Sequence, residues 1–172
     1  MPASRHELRA TFDPVARKDI SLTDEELSEF LEAGHTLHVA SIDADGFPHL
    51  APMWYVVRDG KITFRSFTKS QKIVNLRRNP KLSVLLESGE TYDELKGVMI
   101  RGTATLVEDR ATVLSIYGTI AAKYRMVGGR SAELDDEALE AAFGSYAEKN
   151  TAVFVEPLKV ASWDHSKLGG AY

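Results

Sequence analysis

Two Asp-Gly pairs, Asp45-Gly46 and Asp59-Gly60, divide residues 35–67 into three β-rich runs, and this punctuation restricts the fold more than any other feature. Asp-Gly between such runs is a strong hairpin signal, because both residues tolerate the positive φ of a tight turn. HTLHVASI, PHLAPMWYVV and KITFRSF therefore read as three antiparallel strands in a meander. Pro52 lies inside the second run. It cannot donate to a sheet ladder, so this strand is expected to bulge or to lie at an edge, leaving main-chain groups free to face a ligand.

The other segments follow from period and punctuation. Residues 1–20 are mixed polar and charged and read as a loosely held arm, with residues 21–172 as one domain. Thr23 and Glu26 form a capping box ahead of a short helix whose apolar face is Leu27, Phe30 and Leu31 and whose stop is Gly34. Ser70 is placed to cap a helix carrying Ile73, Val74 and Leu76, which Asn79-Pro80 ends. LSVLLE resumes the sheet. In GVMIRGTATLV, Val98, Ile100, Gly102, Ala104 and Leu106 alternate with Met99, Arg101, Thr103 and Thr105, as in a long coiled strand. Residues 110–126, with Leu114, Tyr117, Ile120 and Tyr124 on one stripe, and the stretch holding Leu139, Phe143 and Tyr146 are helical by period, separated by a GGRSAELDD loop. TAVFVEPLKVASWD closes the sheet as one or two strands, ahead of a polar HSKLGGAY tail. The sum is mainly β (α+β): a small barrel of about six antiparallel strands with peripheral helices.

Charge is distributed unevenly. The 172 residues carry a formal charge of −4, yet Lys61 to Leu86 hold seven basic residues and no acidic one. Ser66, Thr68, Lys69, Ser70 and Lys72 fall where a strand runs into a helix, so hydroxyls, an ammonium and free backbone amides converge as a phosphate cradle does. Arg77 and Arg78 read as a solvated helix face. The acidic balance argues against general nucleic-acid binding. No stretch has the length of a membrane span, the first 20 residues hold no apolar leader core, and there is no cysteine, so a cytoplasmic protein is expected.

Other constellations are weaker. Trp54, beside Pro52 and Met53, is either a core or interface tryptophan or one wall of a flat aromatic site. The five histidines show no ligand spacing, and Glu25-Glu26 and Asp135-Asp136 sit at helix starts as caps, so no metal is expected. GxSxG and GxGxxG are both absent. Trp163, close to the end of the chain, is expected to pack on something, a partner subunit included.

The opening LHVASIDADGFPHLAPMWYVVRDGKITF, the set Ser70, Lys72, Asn75, Leu76, Asn79 and Pro80, the strand GVMIRGTATLVED and the ending KVASWD together resemble the split-barrel flavin-binding proteins related to pyridoxamine 5'-phosphate oxidase. Within that superfamily the chain is most similar to the flavin/deazaflavin oxidoreductases, which use coenzyme F420 or FMN. The resemblance implies a split β-barrel and a homodimer with cofactor sites in the subunit interface. It implies phosphate-side contacts from Arg65, Ser66, Thr68, Lys69 and Lys72, ring-side contacts from Pro52, Met53 and Trp54, and Trp163 supplied by the other subunit. The residue set that binds pyridoxal phosphate in the true oxidases is not found. The expected activity is hydride transfer from F420, with FMN as the alternative cofactor, to a small conjugated or electron-poor substrate; a flavin or haem-type binder without turnover is the third reading. Lys123 and Arg125 join Lys69 and Lys72 as expected partners for the anionic tail of F420, and Tyr55, Tyr124 and His165 are the candidate proton donors.

Overall fold

The computed structural model describes residues 20–126 and 134–169. The N-terminal arm and most of the GGRSAELDD loop fall outside the described residues. Seven strands form one antiparallel sheet: β1 (Leu37–Ile42), β2 (Pro48–Met53), β3 (Val56–Arg58), β4 (Lys61–Phe67), β5 (Lys81–Ser88), β6 (Lys96–Val107) and β7 (Asn150–Asp164). Their order is β2-β1-β5-β6-β7-β4-β3. Helices α1 (Asp24–Ala33), α2 (Gln71–Arg78), α3 (Arg110–Lys123) and α4 (Asp136–Ala147) complete it. This is the mainly β split barrel that the sequence implies.

The meander is replaced by two hairpins at opposite edges of the sheet. The run PHLAPMWYVV breaks after Met53, so β2 pairs only with β1 and β3 pairs only with β4. Proline is the physical reason: neither Pro48 nor Pro52 has an N–H for a second neighbour, which confines β2 to an edge. One expected strand thus becomes two, the described residues hold seven strands where about six are expected, and the Trp54-Tyr55 link crosses from one edge towards the other.

Alternation sorts the sheet into two faces. The inner face gathers Leu37, Val39, Ile62, Phe64, Val84, Val98 and Ile100 into a core closed by Leu31 of α1 and by Ile73 and Leu76 of α2. On the outer face, α3 and α4 cover β3, β4 and the first half of β7 through Val113, Ile116, Tyr117, Ile120 and Phe143. A register shift at Arg101/Gly102 exchanges the faces of β7, so Val153 and Val155 point inward before it and Val160 after it. Beyond that bulge no helix of the described residues covers the outer face, and a row of register partners crosses it: Pro52, His38, Leu85, Met99 and Ala161.

Local expectations hold with a few exceptions. The Thr23/Glu26 capping box is formed, and Asp135 caps α4. Gly34 ends α1 in an extended conformation, and what excludes a side chain there is packing: a Cβ would lie 2.5 Å from Leu86 and 2.7 Å from the Tyr55 hydroxyl. Val74 and Tyr146 turn outward, away from the buried faces of their helices. α3 stops at Lys123, with Tyr124 to Met126 in a turn.

Candidate functional site

The β4–α2 junction brings part of the expected cradle together. Ser66 is buried on the inner face of β4, and its Oγ accepts a hydrogen bond from Lys72 Nζ at 3.1 Å and shares another with Ser70 Oγ at 3.0 Å. Ser70 occupies the N-cap position of α2 but makes no side-chain cap, because its hydroxyl is turned to Ser66. Helices α1, α3 and α4 are each capped by a side chain, from Thr23, Asp109 and Asp135. The first turn of α2 has no acidic residue either. Its leading amides, which have no intrahelical acceptor, therefore have no cap side chain or acidic residue of the first turn to accept from them, an arrangement that can receive an anion. Burial pushes the Lys72 ammonium below the usual lysine value, as for a cation that lacks a counter-charge.

The other expected phosphate-side residues are dispersed. Thr68 lies beside the cradle but shares its hydroxyl hydrogen bond with Thr151 at 3.0 Å, which pins the turn to β7. Lys69 is exposed. Arg65 leaves β4 on the outer face, where its guanidinium lies 3.5 Å above the Tyr117 ring of α3. Three further members of the basic island are engaged elsewhere, Lys61 with Glu156 at 2.8 Å, Arg77 with Glu108, and Arg78 with the Ile42 carbonyl at 2.6 Å, and Lys81 is exposed.

Arg65 instead joins the expected ring-side residues. A cleft of about 350 Å³ is lined by Thr36, Pro52, Met53, Trp54, Arg65 and Ile120. Trp54 is 47% exposed, so it is a wall of this cleft and no core residue. Its ring stacks on Tyr124 at 4.7 Å and 16°. Tyr124 is itself fixed: its hydroxyl accepts from the Tyr55 amide at 3.0 Å and donates to the His35 carbonyl at 2.6 Å. Thr36 also lines a larger cleft, about 780 Å³, that continues past Gly34 and His35 to Lys96 and Asp164.

Sequence reasoning took Tyr117, Ile120 and Tyr124 as one packing stripe and missed their part in this cleft. Their spacing marks a helical face, but nothing in it says that the face ends beside Trp54. The candidate proton donors are all engaged in structural bonds. Tyr55 donates to the Leu31 carbonyl at 2.5 Å, with burial raising its pKa far above the usual tyrosine value; Tyr124 is tied as above, and His165 Nδ1 lies 2.8 Å from the Tyr92 carbonyl. Lys123 does not line an exposed groove, for its Nζ is buried 4.1 Å above the Tyr55 ring. Arg125 is exposed. Among the described residues no group of three or more His, Asp or Glu is placed to hold a metal ion, and no helix is long and apolar enough to cross a membrane.

Trp163 lies at the opposite end of β7 from the Ser66 cluster within its own chain. It pairs with Gly97 near the end of β7, whereas Ser66 pairs with Thr151 near the start. On the outer face it stands two residues beyond Ala161, at the margin of the bare row that begins with Pro52.

The geometry has parallels among known proteins. A conserved hypothetical protein, Rv2991 of Mycobacterium tuberculosis, is 37% identical over 91% of this chain and 93% of its own, with a TM-score of 0.80. An F420 reductase shares the fold at 20% identity and TM-score 0.59, covering 78% of this chain and 94% of its own. The heme storage protein HutZ of Vibrio cholerae does so at 17% identity and TM-score 0.61, covering 83% and 97%. No curated protein matches the sequence. The profile of the pyridoxamine 5'-phosphate oxidase family matches residues 23–163. With most of its length inside that match and the split barrel in place, the chain belongs to the pyridoxamine 5'-phosphate oxidase family.

Proposed function

We propose that this protein is an oxidoreductase that uses coenzyme F420 to transfer hydride to a small conjugated or electron-poor substrate. The observation that carries the reading is the open end of α2, where Ser66, Ser70 and Lys72 gather beside amides that no side chain caps. This donor set fits a phosphate, and the Trp54 cleft beyond β4 fits a planar ring. When bound, the cofactor supplies the hydride chemistry. Lys72, Ser66 and Ser70 hold its phosphate, while Thr68 fixes the turn through Thr151. Pro52, Met53 and Trp54 wall the ring and exclude water, with Tyr124 locking the Trp54 orientation. F420 is favoured over FMN by charge: its anionic tail extends past the phosphate, and exposed Lys69 stands near Lys72 in a stretch without acids.

The working form in this reading is a cytoplasmic homodimer with the cofactor sites at the interface, each chain contributing one domain over residues 21–172. Its support is the bare outer face, on which Leu50 and Met99 are exposed beside Pro52 and Ala161. A two-fold pairing through that face would carry Trp163 of one chain towards the Pro52–Trp54 wall of the other.

Titration of F420 and FMN with the purified protein, followed by fluorescence polarisation, tests the proposal. Tighter binding of F420 is expected. Unchanged F420 polarisation sinks it, and a protein that purifies yellow with flavin absorbance transfers the site to FMN. A cofactor that binds but is never oxidised or reduced by any substrate of a panel leaves a carrier or storage role.

A further inference from the structure

Asn75 is fully buried in α2, on the side of the helix that sends Ile73 and Leu76 into the apolar core. A carboxamide in such a place costs free energy unless it is hydrogen-bonded, and both ends of this one are used. Its Nδ2 donates to Ser41 Oγ of β1 at 3.2 Å, and its Oδ1 accepts from Gln71 Nε2, one turn back in the helix, at 2.8 Å. Ser41 is buried as completely. An apolar side chain would close this contact with nothing to satisfy, so packing alone does not call for an amide facing a hydroxyl here.

The bond joins two strands that the sheet keeps apart. Three strands, β5, β6 and β7, separate β1 from β4, and α2 spans the gap. At its leading end Ser66 of β4 holds Ser70 and Lys72, at 3.0 and 3.1 Å; further along, Asn75 holds Ser41 of β1. A helix of eight residues has little stability of its own, so what it docks on sets its place. Ile73 and Leu76 bury it, but apolar contact is non-directional and leaves rotation about the axis poorly fixed. A hydrogen bond to a buried strand hydroxyl is directional and fixes it. Lys72 and Asn75 are three residues apart and so lie on neighbouring turns of one helix surface; what rotates one rotates the other. Gln71, the first residue of α2, is held by the same carboxamide.

We propose that Asn75 is a positioning residue for the cradle: its bond to Ser41 sets the rotation of α2 on β1 and so brings Lys72 and the uncapped amides into line with Ser66. This rests on the reading of the cradle as a phosphate site and adds to it a residue that acts through the helix without touching the ligand.

The test measures affinity for F420 and for its phosphate-free deazaflavin core, together with melting temperature, in Ser41→Ala, Asn75→Leu and the two combined. Replacing both partners of a buried hydrogen bond by apolar groups costs little stability, so the double variant should melt close to the wild type. Its preference for the phosphorylated compound should nevertheless fall by about ten-fold, the scale of one charge-assisted contact, with affinity for the core unchanged. Ser41→Thr, which keeps the hydroxyl, should retain the preference. Ser41→Ala alone should lower it, and this variant serves if leucine at position 75 prevents folding. A merely structural role would move both affinities together and restore both with the melting temperature. A preference undiminished in the double variant, or lost as fully in Ser41→Thr as in Ser41→Ala, overturns the proposal. The two readings fail separately: a wild type without preference removes the phosphate site and the role of Asn75 with it, whereas a wild-type preference that survives every substitution removes the role of Asn75 alone. FMN and riboflavin, which differ only in the phosphate, give the same comparison if the site takes FMN.

Discussion

Arg65 and Ser66 are consecutive in β4, yet Ser66 Oγ bonds Lys72 on the inner face while Arg65 lies over Tyr117 on the outer one. The pleat sends the Lys72 and Arg65 cations to opposite faces of the sheet by a single residue step. Substitutions on the two faces should therefore separate too. Lys72→Ala is expected to weaken cofactor binding by about ten-fold or more, the order of one charge-assisted contact, with the melting temperature nearly unchanged. Unchanged affinity in a fluorescence titration would make Lys72 a surface residue.

Tyr124 couples the cleft wall to the chain crossing. Its hydroxyl accepts from the Tyr55 amide and donates to the His35 carbonyl, while its ring backs Trp54. Tyr124→Phe should cost about 1–2 kcal/mol by leaving the amide unpaired, read in denaturant unfolding, and should keep Trp54 in place. Tyr124→Ala should in addition release Trp54 and weaken ring binding. Equal cofactor affinity in both variants would show that stacking does not orient Trp54.

Gly97 faces Trp163 across β6 and β7, and a Cβ there would lie 2.2 Å from the indole. Gly97→Ala should displace the ring at a cost of about 1–3 kcal/mol. Tryptophan fluorescence of the variant should change along with its melting temperature. If Trp163 also completes the neighbouring subunit's site, cofactor affinity should fall with it; intact affinity would confine Trp163 to packing.

Asp164 is buried and paired with Lys96 at 2.9 Å. Burial alone would raise its pKa, but the Ser166 hydroxyl and amide together with the Lys96 ammonium outweigh it and hold the carboxyl below the usual value. A depressed folded pKa means that the unfolded chain takes up the proton first. The stabilisation is thus complete above the unfolded pKa, about 4, and is lost as pH falls through the folded value. Asp164→Asn should lower stability by about 1–3 kcal/mol at neutral pH and flatten the acid limb of a melting-temperature profile. A parallel limb in the variant would assign the acid sensitivity to another carboxylate.

The legible parts of the fold were those written locally. Thr23 with Glu26, Asn79-Pro80 and the alternation of Val98 to Leu106 each state a cap, a stop or a face within a few residues. The break after Met53 was legible only in part: Pro52 signalled an edge, but that β3 crosses to the opposite edge is decided by pairing with β4, far along the sheet. In the site, the Ser66 and Lys72 cluster followed from a strand-to-helix junction. The position of Arg65 did not, because the phosphate pattern groups neighbours in sequence while the pleat sends them apart. Tyr124 was hidden for a related reason, since a helical stripe says which residues share a face and not which cleft that face borders.

The account depends most on the cradle at α2 being a phosphate site. The direct measurement compares the affinity of F420 with that of its phosphate-free deazaflavin core, in the wild-type protein and in Lys72→Ala. The account predicts that the wild type prefers the phosphorylated cofactor by about ten-fold or more and that Lys72→Ala loses most of this preference, as removal of a charged hydrogen-bond donor requires. Equal affinity for the two compounds in the wild type, or a preference undiminished in the variant, would contradict it.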